Sequence, residues 1–300
     1  MLSANELRKI AARSGARDIG NVEIDVILTY LLQLFTDKGI MEHVVFKGGT
    51  MLRKMVFGPR GRLSTDLDFT RRSDINLDDL MIMMLDALAQ PYHGLNFRFD
   101  KDKDWYTTDD GCAANPTCYH ADNPKGLKIK LQVSTRELPI LPVQAVAQLK
   151  QDYFDQLPFK PAEIPSLAFE EVVAEKIRAA SQRSKIRDLH DLSEIAVRPL
   201  NHQLVRSLAV LKLWNTGGDG LHYERFAGRV KGSADYEIAD LTSLLRKDQK
   251  PDLSGMITRV VDAYRFLGDL AEDERLLATD SSNKNRQAAN VLIEKIRAAN

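Results

Sequence analysis

The stretch His43-Val-Val-Phe46-Lys-Gly-Gly-Thr-Met-Leu-Arg53, followed closely by Ser64-Thr-Asp66-Leu-Asp68-Phe69, decides the fold. His43 to Phe46 is β-branched and aromatic and predicts a short strand, which Lys47-Gly48-Gly49-Thr50 ends abruptly. Met51 to Phe57 reads as helix, Gly58-Pro59-Arg60-Gly61 breaks it, and Asp66 to Thr70 alternates with the period of a strand. A glycine pair between strand and helix lets a ligand approach the backbone and aims free amides at an anion such as a phosphate. Thr50 adds a hydroxyl, and Arg53, one turn in, is placed to point back toward the same anion. In a strand, residues two apart share a face, so Asp66 and Asp68 project together. Crowded carboxylates repel, an arrangement that a structural role rarely needs but that an oxygen-ligated Mg²⁺ does. Alone, the glycine pair is a turn and the paired acids a solvated edge. Side by side they point to phosphoryl transfer, where a metal neutralises triphosphate charge.

Working outward, Lys47 to Arg72 carries seven basic residues against two acids, a net +5 that suits a triphosphate or a nucleic-acid backbone. Helical spacing marks residues 3–16 and 23–38, and an amphipathic helix over 76–89 begins at an Asn76 cap. Leu95 to Phe99 and Leu127 to Val133 read as strands separated by a long polar loop. Five prolines in 139–165 suggest a connector, and from Leu167 onward helical periods dominate. The expectation is an α+β protein. It has an α/β domain with a small mixed sheet over 1–140, a Pro-rich connector over 141–166 and a helical domain over 167–300.

Composition narrows the function classes. The 42 Lys+Arg and 42 Asp+Glu of the 300 residues cancel, which excludes a protein that coats nucleic acid with its whole surface. A hydrophobic content of 44% excludes a charge-driven disordered chain. Two cysteines make no disulfide framework, and no signal-peptide or membrane-spanning run is evident, so a cytoplasmic protein is expected.

Gly48-Gly49-Thr50 with Arg53, then Ser64-Thr65-Asp66-Leu67-Asp68-Phe69, resembles the nucleotidyltransferase superfamily, and more closely its AbiEii/AbiGii toxin branch with the MenT-like toxins. Glu170-Glu-Val-Val-Ala-Glu-Lys176-Ile-Arg178, followed by Arg187-Asp188-Leu-His-Asp191-Leu192, is similar to that branch's second block. The blocks run from about residue 23 to about residue 195. The resemblance implies NMP transfer from an NTP to a tRNA 3′ end with release of pyrophosphate and a block of translation. It also implies an antitoxin partner and a role in phage defence. It assigns Mg²⁺ (or Mn²⁺) to Asp66 and Asp68, and the nucleotide to Lys47, Gly48, Gly49, Thr50, Arg53, Ser64, Thr65 and Arg178. Lys176 would meet the phosphates and one of Asp188 and Asp191 would complete the site. A monomer is expected.

By themselves, Glu171, Glu175 and Arg178 have the spacing of intrahelical ion pairs, and Asp188 and Asp191 that of helix-capping acids. Ser64 and Thr65 hydroxyls suit phosphate contact, self-modification or strand-entry hydrogen bonds. Gln132 stands where many nucleotidyltransferases place a third strand carboxylate, and Lys128, Lys130 and Gln132 are expected to share a face. Two rival readings follow: the same chemistry on a small molecule or protein hydroxyl, and an inactive nucleotide-binding regulator. Asp100-x-Asp102-x-Asp104 imitates an EF-hand, but Trp105 stands where glycine is required. Cys112, Cys118 and His120 make a poor zinc set, and the cysteines are expected as free thiols in a mobile loop.

Overall fold

Ser3 opens the first helix, α1 (Ala4–Ser14), through a capping box with Glu6, and Asp18 caps the second, α2 (Ile19–Asp37), at Gly20 and Asn21. The computed structural model describes every residue except Lys101, Asp109, Gly218, Ser233, Ala234 and Asn300. It divides into two units. The first comprises 1–139, 143–166 and 243–250, the second 140–142, 167–242 and 251–300.

In the first unit, α2 is long and apolar enough to cross a membrane, but here it is a core helix: Val26, Ile27, Leu28, Leu31, Leu32 and Phe35 are fully buried. Phe69 packs between Phe35 and Phe46, with ring centroids 6.1 and 5.6 Å away. Burying such a side chain contributes about 1.5–3 kcal/mol. The strands are β1 (Val44–Lys47), β2 (Asp66–Arg71), β3 (Asn96–Arg98), β4 (Trp105–Thr108), β5 (Gly111–Ala114), β6 (Thr117–His120), β7 (Asn123–Lys128), β8 (Lys130–Ser134), β9 (Gln144–Val146) and β10 (Ile164–Ser166). Among the described residues they form a seven-stranded mixed sheet, β4-β5-β8-β2-β1-β10-β9, and a three-stranded sheet, β3-β6-β7. Two short helices lie between strands: α3 (Gly48–Met51), continued by a π-turn over Leu52–Phe57, and α4 (Leu77–Leu88), capped by Asn76.

The structure departs from four expectations. The long polar loop is instead strands β4 to β7. β5 (Gly-Cys-Ala-Ala) is buried throughout, and β4 faces solvent along most of its length, so neither shows the alternation that betrays a strand. Cys112 and Cys118 are accordingly buried thiols on β5 and β6, their pKa raised by burial, rather than residents of a mobile loop. The Pro-rich stretch supplies β9 and β10, with Phe46 of β1 in register with Ser166 of β10. Pro165 lies within a three-residue strand, where proline argues against a strand reading. Lys128 does not join Lys130 and Gln132, because the chain changes sheets at Ile129 and the Lys128 ammonium pairs with Asp104 at 2.9 Å.

The second unit is helical: α5 (Phe169–Gln182), α6 (Ile186–Ile195), α7 (His202–Asn215), α8 (Tyr223–Lys231), α9 (Ile238–Thr242), α10 (Leu253–Ala263), α11 (Glu272–Ala278) and α12 (Arg286–Ala299). Lys212 of α7 is buried against α5, its ammonium 2.8 Å from Glu171 and 3.2 Å from Glu175. Glu171 also accepts hydrogen bonds from the amides of Ile140 and Leu141, fastening that short segment to the helices. Tyr264 bonds the Leu192 carbonyl and Arg259 the Ser193 hydroxyl, tying α6 to α10 and the turn after it.

Candidate active site

Register builds the candidate site of the first unit. Lys47 of β1, Asp68 of β2 and Gln132 of β8 stand in one cross-strand row, with Asp66 and Lys130 paired two residues back. Opposed residues share a face, so Asp66, Asp68, Lys130, Gln132 and Lys47 line one side of the sheet. Leu67, Phe69, Leu131 and Val133 alternate onto the other side as core. The strand thus presents two half-buried carboxylates on a rigid support. Gln132, beside Asp68, offers an amide where a third acid would otherwise stand.

The glycine turn is shaped around these acids. Gly48 has φ +81°, and a Cβ there would collide with the Asp68 carboxylate. A Cβ on Gly49 would lie 2.6 Å from a terminal nitrogen of Arg62 and 3.3 Å from the Ser64 hydroxyl. The Thr50 hydroxyl donates to the Asp66 carbonyl and Thr50 is fully buried, so its proton ties the turn to β2 rather than reaching a ligand. Thr65 donates to the Asp66 carboxylate at 3.2 Å.

Arg53 lies away from the glycine turn. Its guanidinium donates to the Gly58 carbonyl and lies 3.8 Å from Asp25, buried inside the unit. The π-turn is the cause: i→i+5 hydrogen bonding widens the coil, so Arg53 leaves the azimuth that an α-helix starting at Gly48 would give it. Lys54 is likewise interior, with its ammonium 3.2 Å from Asp25, 2.8 Å from Thr29 and 3.1 Å from Tyr153. Burial alone would raise the Asp25 carboxyl; Lys54 and Arg53, with the Tyr153 hydroxyl, outweigh it and leave the pKa below the ordinary value. Two charges of the basic window are therefore spent on Asp25, and the local field is weaker than the sequence count suggests. Arg62, against Gly49, is the arginine that the sequence reading passed over. The signal was present, since Arg62, Ser64, Asp66 and Asp68 recur at every second position.

The second unit gathers the other residues. The Lys176 ammonium lies 2.9 Å from Asp188 and 2.8 Å from Asp191, all three side chains being buried. Arg183 adds a second bond to Asp188 at 2.9 Å. Burial pulls the Asp188 pKa upward, but Lys176 and Arg183 together outweigh it, and it falls below the ordinary carboxylate value. Both acids hold the same lysine, which is why sequence spacing could not choose between them. Arg178 pairs with Glu175 at 2.7 Å within α5, the i,i+3 ion pair that the spacing also allowed.

The comparisons bear on the family and the fold. Residues 30–276 match the family model described as nucleotidyl transferase AbiEii toxin, type IV TA system. The chain belongs to the AbiEii toxin family. It is a nucleotidyltransferase. AbiEii nucleotidyltransferases use an NTP and a divalent metal, and a type IV toxin–antitoxin family implies a cognate antitoxin. Among solved structures, the nucleotidyltransferase toxin MenT4 (Rv2826c) from Mycobacterium tuberculosis H37Rv is similar, with 24% identity and a TM-score of 0.81 over 99% of this chain and 100% of that one. JHP933 from Helicobacter pylori is similar at 18% identity, with a TM-score of 0.51 over 91% and 97% of the two chains. At these identities the likeness carries the AbiEii fold. No curated protein matches the chain.

The AbiEii donor set also limits the metal. Among the described residues no group of three His, Cys, Asp or Glu side chains converges as a metal site. A pair of carboxylates on one sheet face suits a hard divalent cation of the kind held by one or two carboxylates together with substrate phosphates and water rather than by a full protein cage.

Proposed function

We propose that this AbiEii toxin transfers a nucleoside monophosphate from an NTP to the 3′ end of tRNA and thereby blocks translation. The observation that carries this reading is the row of Asp66 and Asp68 on one sheet face, with Gly48 and Gly49 shaped to the side chains beside them. Asp66 and Asp68 would hold Mg²⁺, which would supply neutralisation of the triphosphate charge. The Gly48–Gly49 amides cradle the phosphates, with Lys47 and Ser64 beside them. Lys176, fixed by Asp188 and Asp191, is a positioned charge within the second unit. The acceptor hydroxyl attacks the α-phosphorus; its proton passes to a carboxylate or to water, and the bond to the pyrophosphate oxygen breaks. With Gln132 in place of an acid, base assistance from β8 is lacking, and positioning carries more of the rate. The protein acts in the cytoplasm as a monomer.

The test is incubation with total tRNA, Mg²⁺ and each labelled NTP in turn. Label should enter RNA with one NTP and disappear in Asp66→Ala. Label on protein or on a small molecule, with none on RNA, would overturn the acceptor.

A further inference from the structure

A pocket in the second unit is unused by the chemistry above. It has a volume of about 220 Å³ and lies where the C-terminal ends of α5 and α7 meet α8. Leu213 and Phe226 are its buried apolar floor. Above them stand His222, Arg225 and Arg229, which recur at helical spacing and so form one face at the start and along the length of α8. Ser181 and Gln182 supply hydroxyl and amide groups from α5, and Asp219 is the acid in the lining, 2.7 Å from Arg225. The lining is therefore net positive even with His222 neutral. Gly220 pins the wall, because a Cβ there would collide with the Ala278 carbonyl.

The pocket is close to the Lys176 cluster along the same helix. Ser181 and Gln182 follow Lys176 by about one and a half turns of α5. The half-buried Tyr236 senses both places: burial, Asp188 and Asp235 raise its pKa, and Arg229 opposes them. The pocket is small for a whole nucleotide, the usual ligand cleft being about 300–1,000 Å³, but ample for one phosphate with part of its sugar.

We propose that this pocket binds a backbone phosphate of the acceptor RNA, with Arg225 and Arg229 as the phosphate-contacting cations and Asp219 as a built-in competitor for Arg225. The inference rests on the RNA-acceptor reading above and gives that reading a second anchoring point. A guanidinium fork matches phosphate oxygens, whereas the apolar floor accepts a ribose face. Such a contact adds affinity for RNA without base preference and releases counterions.

The experiment uses the full chain and total tRNA in three forms: wild type, Arg225→Gln/Arg229→Gln, and Asp219→Asn. All of these side chains are exposed, and melting curves check that each variant is folded. In filter binding across a salt series, the double variant should bind tRNA about tenfold more weakly, with the log–log salt slope reduced by about one. In label transfer its KM for tRNA should rise with kcat and the KM for NTP unchanged. Asp219→Asn should move affinity the other way, by about threefold, because Arg225 loses its competing partner. A folded double variant with unchanged tRNA affinity and slope overturns the pocket assignment alone. A rise in the KM for NTP instead overturns it in favour of a nucleotide role. Wild-type protein that neither binds nor labels tRNA removes both the acceptor reading and this site.

Discussion

Arg53 and Arg62 look equivalent in the sequence, yet only Arg62 lies against the glycine turn. The difference is one of helical phase. A π-turn after a four-residue α-helix is invisible to periodicity, whereas the two-residue spacing of Arg62, Ser64, Asp66 and Asp68 is not. At this scale the paired acids were legible because a strand fixes side-chain direction. The Arg178–Glu175 pair was legible from helical spacing, whereas the fate of Thr50 was not, because its partner is the Asp66 carbonyl, 16 residues away on β2. Two predictions belong here. Gly48→Ala forces a side chain into a positive φ and against Asp68, so NMP transfer should fall at least about tenfold while the melting temperature drops by only a few degrees. Equal loss of both in Gly48→Ala would show a purely structural turn. Arg53→Met should do the opposite, lowering the melting temperature by exposing the burial cost of Asp25 while the KM for NTP stays within about twofold. A KM rise above tenfold in a folded Arg53→Met protein would return Arg53 to the phosphates.

Between elements, the information lies in registers and in cross-helix partners. Strand β2 was readable, and so was the odd Gln132, but the sequence did not show that β8 would set this amide beside Asp68. Strands β4, β5, β9 and β10 escaped notice because they are short, are covered on both faces or neither, or contain proline. The helices were readable from their apolar stripes, though not the buried charges that join them. Lys212 is such a joint, with two carboxylates of α5 closing on one ammonium that is almost wholly buried. Lys212→Met keeps the volume and removes the charge, leaving Glu171 buried with, among the described residues, the Ile140 and Leu141 amides for partners. Removing one partner of a buried pair costs about 3–5 kcal/mol. Thermal unfolding of that variant should therefore start about 10 °C lower, and Lys212→Met/Glu171→Gln should recover part of the loss. A double variant no more stable than Lys212→Met would show that the ion pair is not what α7 contributes.

For the whole molecule, the zero net charge conceals how the charges are spent. Asp25 in one unit and Asp188 in the other are buried acids, each with two cationic partners. The two units interleave in sequence, with 140–142 in the second and 243–250 in the first, so composition alone gives no clean boundary. The shared electrostatics nevertheless make a prediction about both. Each aspartate has a folded-state pKa below the ordinary value of 3.8. A depressed acid binds fewer protons folded than unfolded, so its stabilisation is complete above the unfolded pKa and lost as the pH falls through the folded one. Melting temperatures should accordingly be level from about pH 7 to about pH 5 as far as these two groups are concerned, then fall steeply toward about pH 3. If the units melt separately, both transitions should shift, because each holds at least one such acid. Asp188→Asn should lower the second unit's stability near neutrality and flatten its acid limb, while the first unit's limb persists through Asp25. A melting profile in which acid leaves one transition untouched would mean that the aspartate in that unit is not held as a charge.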